Sequence, residues 1–130
     1  MPLLYFGGGT IGAGTFSTLD NTRALLDLLY DSGITHIDTA GVYPATAPGA
    51  SEYLLGAANA AGRGFTIDTK IKVTGEGPGQ GSLKTEAIDR SLATSLNALH
   101  VAKVCVFSSR AGLDFSCSGW WAAFYMSQEG

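Results

Sequence analysis

The chain has 130 residues, 45% hydrophobic and 15% charged, with a mean hydropathy of +0.17. That composition suits one folded domain with a sizeable core and excludes a disordered chain. A net charge of −3, a pI near 5.1 and scattered Lys and Arg leave no electrostatic footprint for nucleic acid.

No apolar run approaches the roughly 20 residues that span a bilayer. The opening MPLLYFGGG lacks the basic and apolar regions of a signal peptide, so no membrane partner and a cytoplasmic location are expected. Cys105 and Cys117 form neither a disulfide framework nor a metal-ligand spacing, and are read as idle thiols.

In chain order, Leu3 to Phe6 reads as a short buried strand, cut by Gly7, Gly8 and Gly9. A glycine-rich loop follows to about Ser17. DNTRALLDLLYDSG then predicts a helix with Asp20 as N-cap, an apolar stripe of Ala24, Leu25, Leu28 and Leu29, and Gly33 as stop. Ile34 to Asp38 predicts a second strand, and AGVYPATAPGAS a loop. SEYLLGAANAAG predicts a second helix, with Ser51 near its N-cap and Gly62 at its end. FTIDTKIKV predicts a third strand and GEGPGQG a loop. SLKTEAIDRSLATSLNAL predicts the longest helix, with Ile88, Leu92, Leu96 and Leu99 on one face. VAKVCVF predicts a fourth strand.

This β-α-β-α-β-α-β alternation argues for parallel strands joined by right-handed crossovers. After Phe107 no helical or strand period continues, and six of the thirteen aromatics lie in residues 107–130. The chain is therefore divided into an α/β unit, residues 1–104, and a divergent aromatic-rich tail, residues 105–130.

Two features bear on chemistry. Gly7 to Gly12, GGGTIG, satisfies the dinucleotide pattern G-x-G-x-x-G. That pattern works by placing a pyrophosphate on a helix N-terminus directly after the glycines. Here AGTFSTLDNT intervenes, so a loop at a strand end is the stronger reading. The second feature is ITHIDTAGVY, in which a strand ends in Asp38 and Tyr43 follows five residues later. Taken singly, Asp38 reads as a loop cap, Tyr43 as a packed loop aromatic, and Lys70 as a solvated strand end beside Asp68 and Lys72.

Jointly these residues resemble a known family. HIDTAGVY followed by GASEYLLG is similar to the aldo-keto reductase pattern, D-T-A-x-x-Y followed by G-x-S-E-x-x-L-G. TIDTKIKV resembles that family's third strand, which ends in T-K. The resemblance runs from about Leu4 to Val104 and looks closest to the aflatoxin-aldehyde-reductase-like branch. It implies a (β/α)₈ TIM barrel and NADPH-dependent reduction of aldehydes or ketones to alcohols. Tyr43 is then the general acid, Lys70 the neighbour that eases its proton loss, and Asp38 the carboxylate that orients Lys70. A free phenol, with a pKa of about 10, is a poor acid at neutral pH, and a nearby ammonium favours its phenolate. The resemblance also implies NADPH contacts from Gly9, Thr10, Ile11 and Asp38. Ser51 and Glu52 are expected to cap a helix.

The chain departs from the family pattern at its far end. The family's fourth catalytic residue, a histidine after the fourth strand, falls near Arg110, and His100 precedes that strand. His100 is read instead as a helix C-terminal residue favoured by the helix dipole. Cys105 stands where the family has an acid. A complete barrel takes about 250 residues, so the expectation is an N-terminal half: about four parallel strands and three helices. The break after Val104 suggests a changed reading frame or retained non-coding segment. The alternative function is a catalytically inactive half-barrel, self-associating through open sheet edges.

Overall fold

The computed structural model describes residues 2–70, 85–104 and 107–108. Four parallel strands form one sheet in the order β1-β2-β3-β4: β1 Tyr5–Gly7, β2 His36–Asp38, β3 Thr66–Lys70 and β4 Phe107–Ser108. Three helices alternate with them: α1 Leu19–Asp31, α2 Ala50–Ala57 and α3 Thr85–Leu99. These are the parallel strands alternating with helices that the sequence pattern implies, in the partial α/β arrangement that the family resemblance led one to expect.

Register divides the sheet into two faces. Phe6 pairs with Ile37, and Ile37 with Ile67. These three point toward the helices, where Ile37 and Ile67 are buried and Phe6 packs against the same cluster. Leu25, Leu26, Leu29, Leu54, Leu55 and Leu99 supply the helical side of that core. Strand alternation sends Tyr5, His36 and Thr66, and then Gly7, Asp38 and Asp68, to the other face. In the described strands it is largely polar, with the Tyr5 ring set edge-on to His36 at 5.1 Å.

One device returns the chain from each helix to the sheet. After α1, Gly33 at φ +76° donates to the Tyr30 carbonyl while Ile34 donates to Leu29. Asn59 and Ala60 repeat this after α2, Gly64 and Phe65 after the 3₁₀ turn Ala61–Arg63, and His100 and Val101 after α3. Each is a left-handed residue closing two orphan carbonyls, followed by a residue packed into or against the core. Gly33 matches the sequence expectation. Asn59 and His100 do the same job with side chains, so His100 terminates α3 through its backbone conformation.

Several boundaries differ from those expected. Leu3 and Leu4 are exposed and precede β1, which starts only at Tyr5 and includes Gly7. Thr18, not Asp20, caps α1 by accepting from the Asn21 amide, and Asp20 lies in the first turn. The buried stripe of α1 is Thr22, Leu25, Leu26 and Leu29, the i, i+3, i+4, i+7 set; Ala24 is exposed and Leu28 is 64% exposed. Gly49, not Ser51, is the N-cap of α2, which ends at Ala57 rather than Gly62. The expected face of α3 holds: Leu92 and Leu99 are buried, and Ile88 and Leu96 pack beside Leu92.

The fourth strand is displaced. Val101–Val104 was expected to be strand, but it forms an apolar connector whose valines pack on the core, and pairing begins at Thr69↔Phe107. The expectations for Lys72, Cys105, Arg110, Cys117 and the tail lie outside the described residues.

The tightest helix contact is between α2 and α3. A β-carbon on Gly56 would overlap the Ala98 carbonyl of α3. Backbone cannot yield as a flexible side chain can, so Gly56→Ala is predicted to destabilise the fold by about 3 kcal/mol. Urea unfolding followed by far-UV circular dichroism measures this, and an unchanged midpoint would contradict the packing.

Candidate functional site

The parallel register fixes the site. Asp38 is the last residue of β2 and pairs with Asp68 on β3. Lys70 lies two residues further along β3, at its end and on the same face. A one-residue slip would turn Lys70 toward the helices. In the observed register the Lys70 ammonium reaches back to both Asp38 carboxylate oxygens at 2.5 Å and to the Thr39 carbonyl at 3.1 Å. Its three hydrogens therefore all have acceptors.

Tyr43 stands on the loop between β2 and α2. Its amide donates to the Ala40 carbonyl, and its carbonyl accepts from the amides of Gly49 and Ser51, each at 3.1 Å. The loop is thereby closed onto the start of α2. Lys70 Nζ lies 5.2 Å from the centroid of the Tyr43 ring. Phenol, ammonium and carboxylate thus converge at the C-terminal ends of neighbouring parallel strands, the functional end of a βα sheet. Asp38 and Lys70 are 39% and 27% exposed, so the cluster is open to a small molecule while partly screened from water.

Of the other expected contacts, Gly9 lies in the 3₁₀ turn Gly8–Thr10, and a β-carbon there would meet the Tyr43 ring at 3.9 Å. The loop backbone therefore passes beside the phenol. Thr10 is exposed, and the Ile11 side chain is wholly inside the core. The helix after this loop begins only at Leu19, so the glycines of GGGTIG do not feed a helix N-terminus.

Sequence reasoning missed a buried polar group behind the site. Ser51 Oγ donates to the Gly8 carbonyl at 2.9 Å and lies 2.7 Å from Thr39 Oγ1. Thr69 Oγ1 donates to Glu52 Oε1 at 2.5 Å. Ser51 and Glu52 do not cap α2, because Gly49 holds that position and their side chains point into the protein. The available signal was their place beside an apolar helix, opposite threonines that end strands.

An open cavity of about 300 Å³ lies at the other end of the sheet, between Asp27, Tyr30, Asp31 and Arg63. Asp38, Tyr43 and Lys70 do not line it. Among the described residues, no helix is long and apolar enough to cross a membrane.

A sequence model described as the aldo/keto reductase family matches residues 3–109. A search of curated proteins returns no match. Among solved structures, the chain is similar to a Pseudomonas aeruginosa protein described as an aldo-keto reductase, with 27% identity and a TM-score of 0.67. That alignment covers 82% of this chain and 41% of the other. A second likeness, to the holo form of the aldo-keto reductase AKR11C1 from Bacillus halodurans, has 22% identity and a TM-score of 0.64. It covers 82% of this chain and 35% of that one, and shows a shared fold. The chain thus spans about two fifths of the length of the structures it matches.

The Asp38–Lys70 pair is part-exposed, which limits its worth to the fold. Asp38→Asn is predicted to change unfolding free energy by less than about 1 kcal/mol. Urea titration checks this; a loss several times larger would mean that the pair is a structural element.

Proposed function

The chain belongs to the aldo/keto reductase family, and from that premise we propose that Asp38, Tyr43 and Lys70 form the proton-donating part of a carbonyl reductase site. The observation that carries this reading is the convergence of the three groups. Lys70 is held by Asp38 at 2.5 Å, with its ammonium 5.2 Å from the Tyr43 ring centroid.

The proposed chemistry follows from the groups themselves. An aldehyde or ketone oxygen gains negative charge as its carbon is reduced. Tyr43 Oη gives that oxygen its proton and is left as a phenolate. The Lys70 ammonium, its hydrogens already committed, offsets the phenolate through its charge. Asp38 keeps that charge in place by accepting two of those hydrogens. The loop hydrogen bonds from Gly49 and Ser51 hold the Tyr43 backbone, limiting the freedom lost when a substrate arrives.

NADPH, which the family generally uses, is the hydride source that this reading calls for. The described residues do not fit its phosphate end. Lys70 is engaged by Asp38, Arg23 and Arg63 pair with Asp20 and Asp27, Arg90 turns to the Glu86 carbonyl, and the exposed Lys103 precedes β4, away from the strand ends that carry Asp38 and Lys70. No helix N-terminus follows the glycine loop to take a pyrophosphate. The described residues therefore hold the acid side of the reaction without a matching phosphate cradle. A second reading is that the chain keeps the family's acid site with little turnover of its own.

Aldehyde-dependent oxidation of NADPH, followed by loss of absorbance, tests the proposal. Tyr43→Phe is predicted to lower the rate by about 10²–10⁴-fold, the usual worth of a positioned acid. Turnover that survives this substitution would refute Tyr43 as the donor. A chain that neither binds nor oxidises NADPH would establish the second reading.

A further inference from the structure

We propose that Ser51 and Glu52 are positioning residues for the candidate site, acting as a buried polar clamp from α2 onto the ends of β1, β2 and β3. The inference rests on the reading of Asp38, Tyr43 and Lys70 as the site and deepens it by naming what sets their spacing.

Each clamp bond reaches a different structural support. Ser51 Oγ bridges the Gly8 carbonyl, just past β1, to the Thr39 hydroxyl, just past β2. The Thr39 carbonyl is in turn the third acceptor of Lys70. Glu52 takes the hydroxyl of Thr69, the residue before Lys70 on β3. The Ser51 amide donates to the Tyr43 carbonyl. Two consecutive residues in the first turn of α2 thereby touch the backbone or direct neighbour of every member of the site.

Burial explains why this clamp is stiff. Ser51, Thr39 and Thr69 have essentially no exposed surface, and Glu52 is 2% exposed. A buried hydroxyl or carboxylate that loses its partner bears its desolvation cost in full, so alternative arrangements are disfavoured. The space is also closed sterically: a β-carbon on Gly8 would lie 3.0 Å from the Asp38 carbonyl and 3.4 Å from Ser51 Oγ. The absence of a side chain at residue 8 leaves this close approach of the backbone after β1 to β2 uncrowded. A helix-capping role would need none of these contacts.

Lys70 reports the clamp without any need for turnover. Limited acetylation of the folded chain with acetic anhydride, read by mass spectrometry, gives the reactivity of Lys70 relative to the exposed Lys103. Lys70 is expected to be protected, and Asp38→Asn to remove that protection. Ser51→Ala and the near-isosteric Thr69→Val are expected to raise the Lys70:Lys103 ratio about tenfold, as loss of a buried hydrogen bond would. Thr69→Ser, which keeps the hydroxyl, is expected to stay near the parent ratio. Leu92→Ala weakens the separate cluster on α3 and is expected to leave the ratio unchanged.

Should Ser51→Ala fail to fold, the Thr69→Val and Thr69→Ser comparison decides alone. An unchanged ratio in folded Thr69→Val, an equal rise in Leu92→Ala, or an unprotected Lys70 in the parent chain would each overturn the clamp. A raised ratio in a chain without Tyr43-dependent turnover would leave the clamp standing and remove only the catalytic reading.

Discussion

The register between β2 and β3 is the constraint on which the site depends. Ile37 faces Ile67 inside the core, so Asp38 must face Asp68, and Lys70 must emerge two residues later on the same side. Burial of the isoleucines enforces this alignment, since a slip of one residue would place apolar side chains on the polar face. The ion pair is a consequence of that register rather than its cause. It is too exposed to hold two strands together, whereas the Ile37–Ile67 pair beneath it is buried.

Above the register sits a second level of control. Parallel strands end in loops, and loops are free to place side chains in many ways. Here α2 removes that freedom. Its first turn holds the loops after β1 and β2 and the end of β3 through hydroxyl, carboxylate and amide contacts. The same helix packs so closely on α3 that Gly56 admits no side chain. Core packing on one side of α2 and polar contacts at its start thus fix one rigid body behind Tyr43, Asp38 and Lys70.

Much of this was legible in the sequence, for physical reasons that differ by element. The D-T-A-x-x-Y and G-x-S-E runs combine chemistry with spacing, so they singled out Asp38, Tyr43 and Lys70, which the fold brings together. Gly33 announced a left-handed stop because glycine adopts positive φ freely. Asn59 performs the same turn without that signature and went unread, and His100, read as a helix C-terminal residue favoured by the dipole, ends α3 through a left-handed backbone instead. Ser51 followed by Glu52 looks like helix-capping chemistry, yet Gly49 took the cap and released both side chains to the interior. Val101 and Val104 have strand propensity, but packing against the core uses them as a connector. The stripe of α1 was misplaced because Leu25 and Leu29 fit two overlapping sets, and only tertiary contact with the sheet selects Leu26 over Leu28.

If the carboxylate, ammonium and phenol work as one unit, their contributions to turnover cannot be independent. A double-mutant cycle on aldehyde-dependent NADPH oxidation, with Tyr43→Phe, Lys70→Met and the pair, measures this coupling directly. The double variant is expected to be hardly slower than the slower single variant, because the ammonium has no role once the phenol is gone. Losses that multiply, as for separate groups, would contradict it.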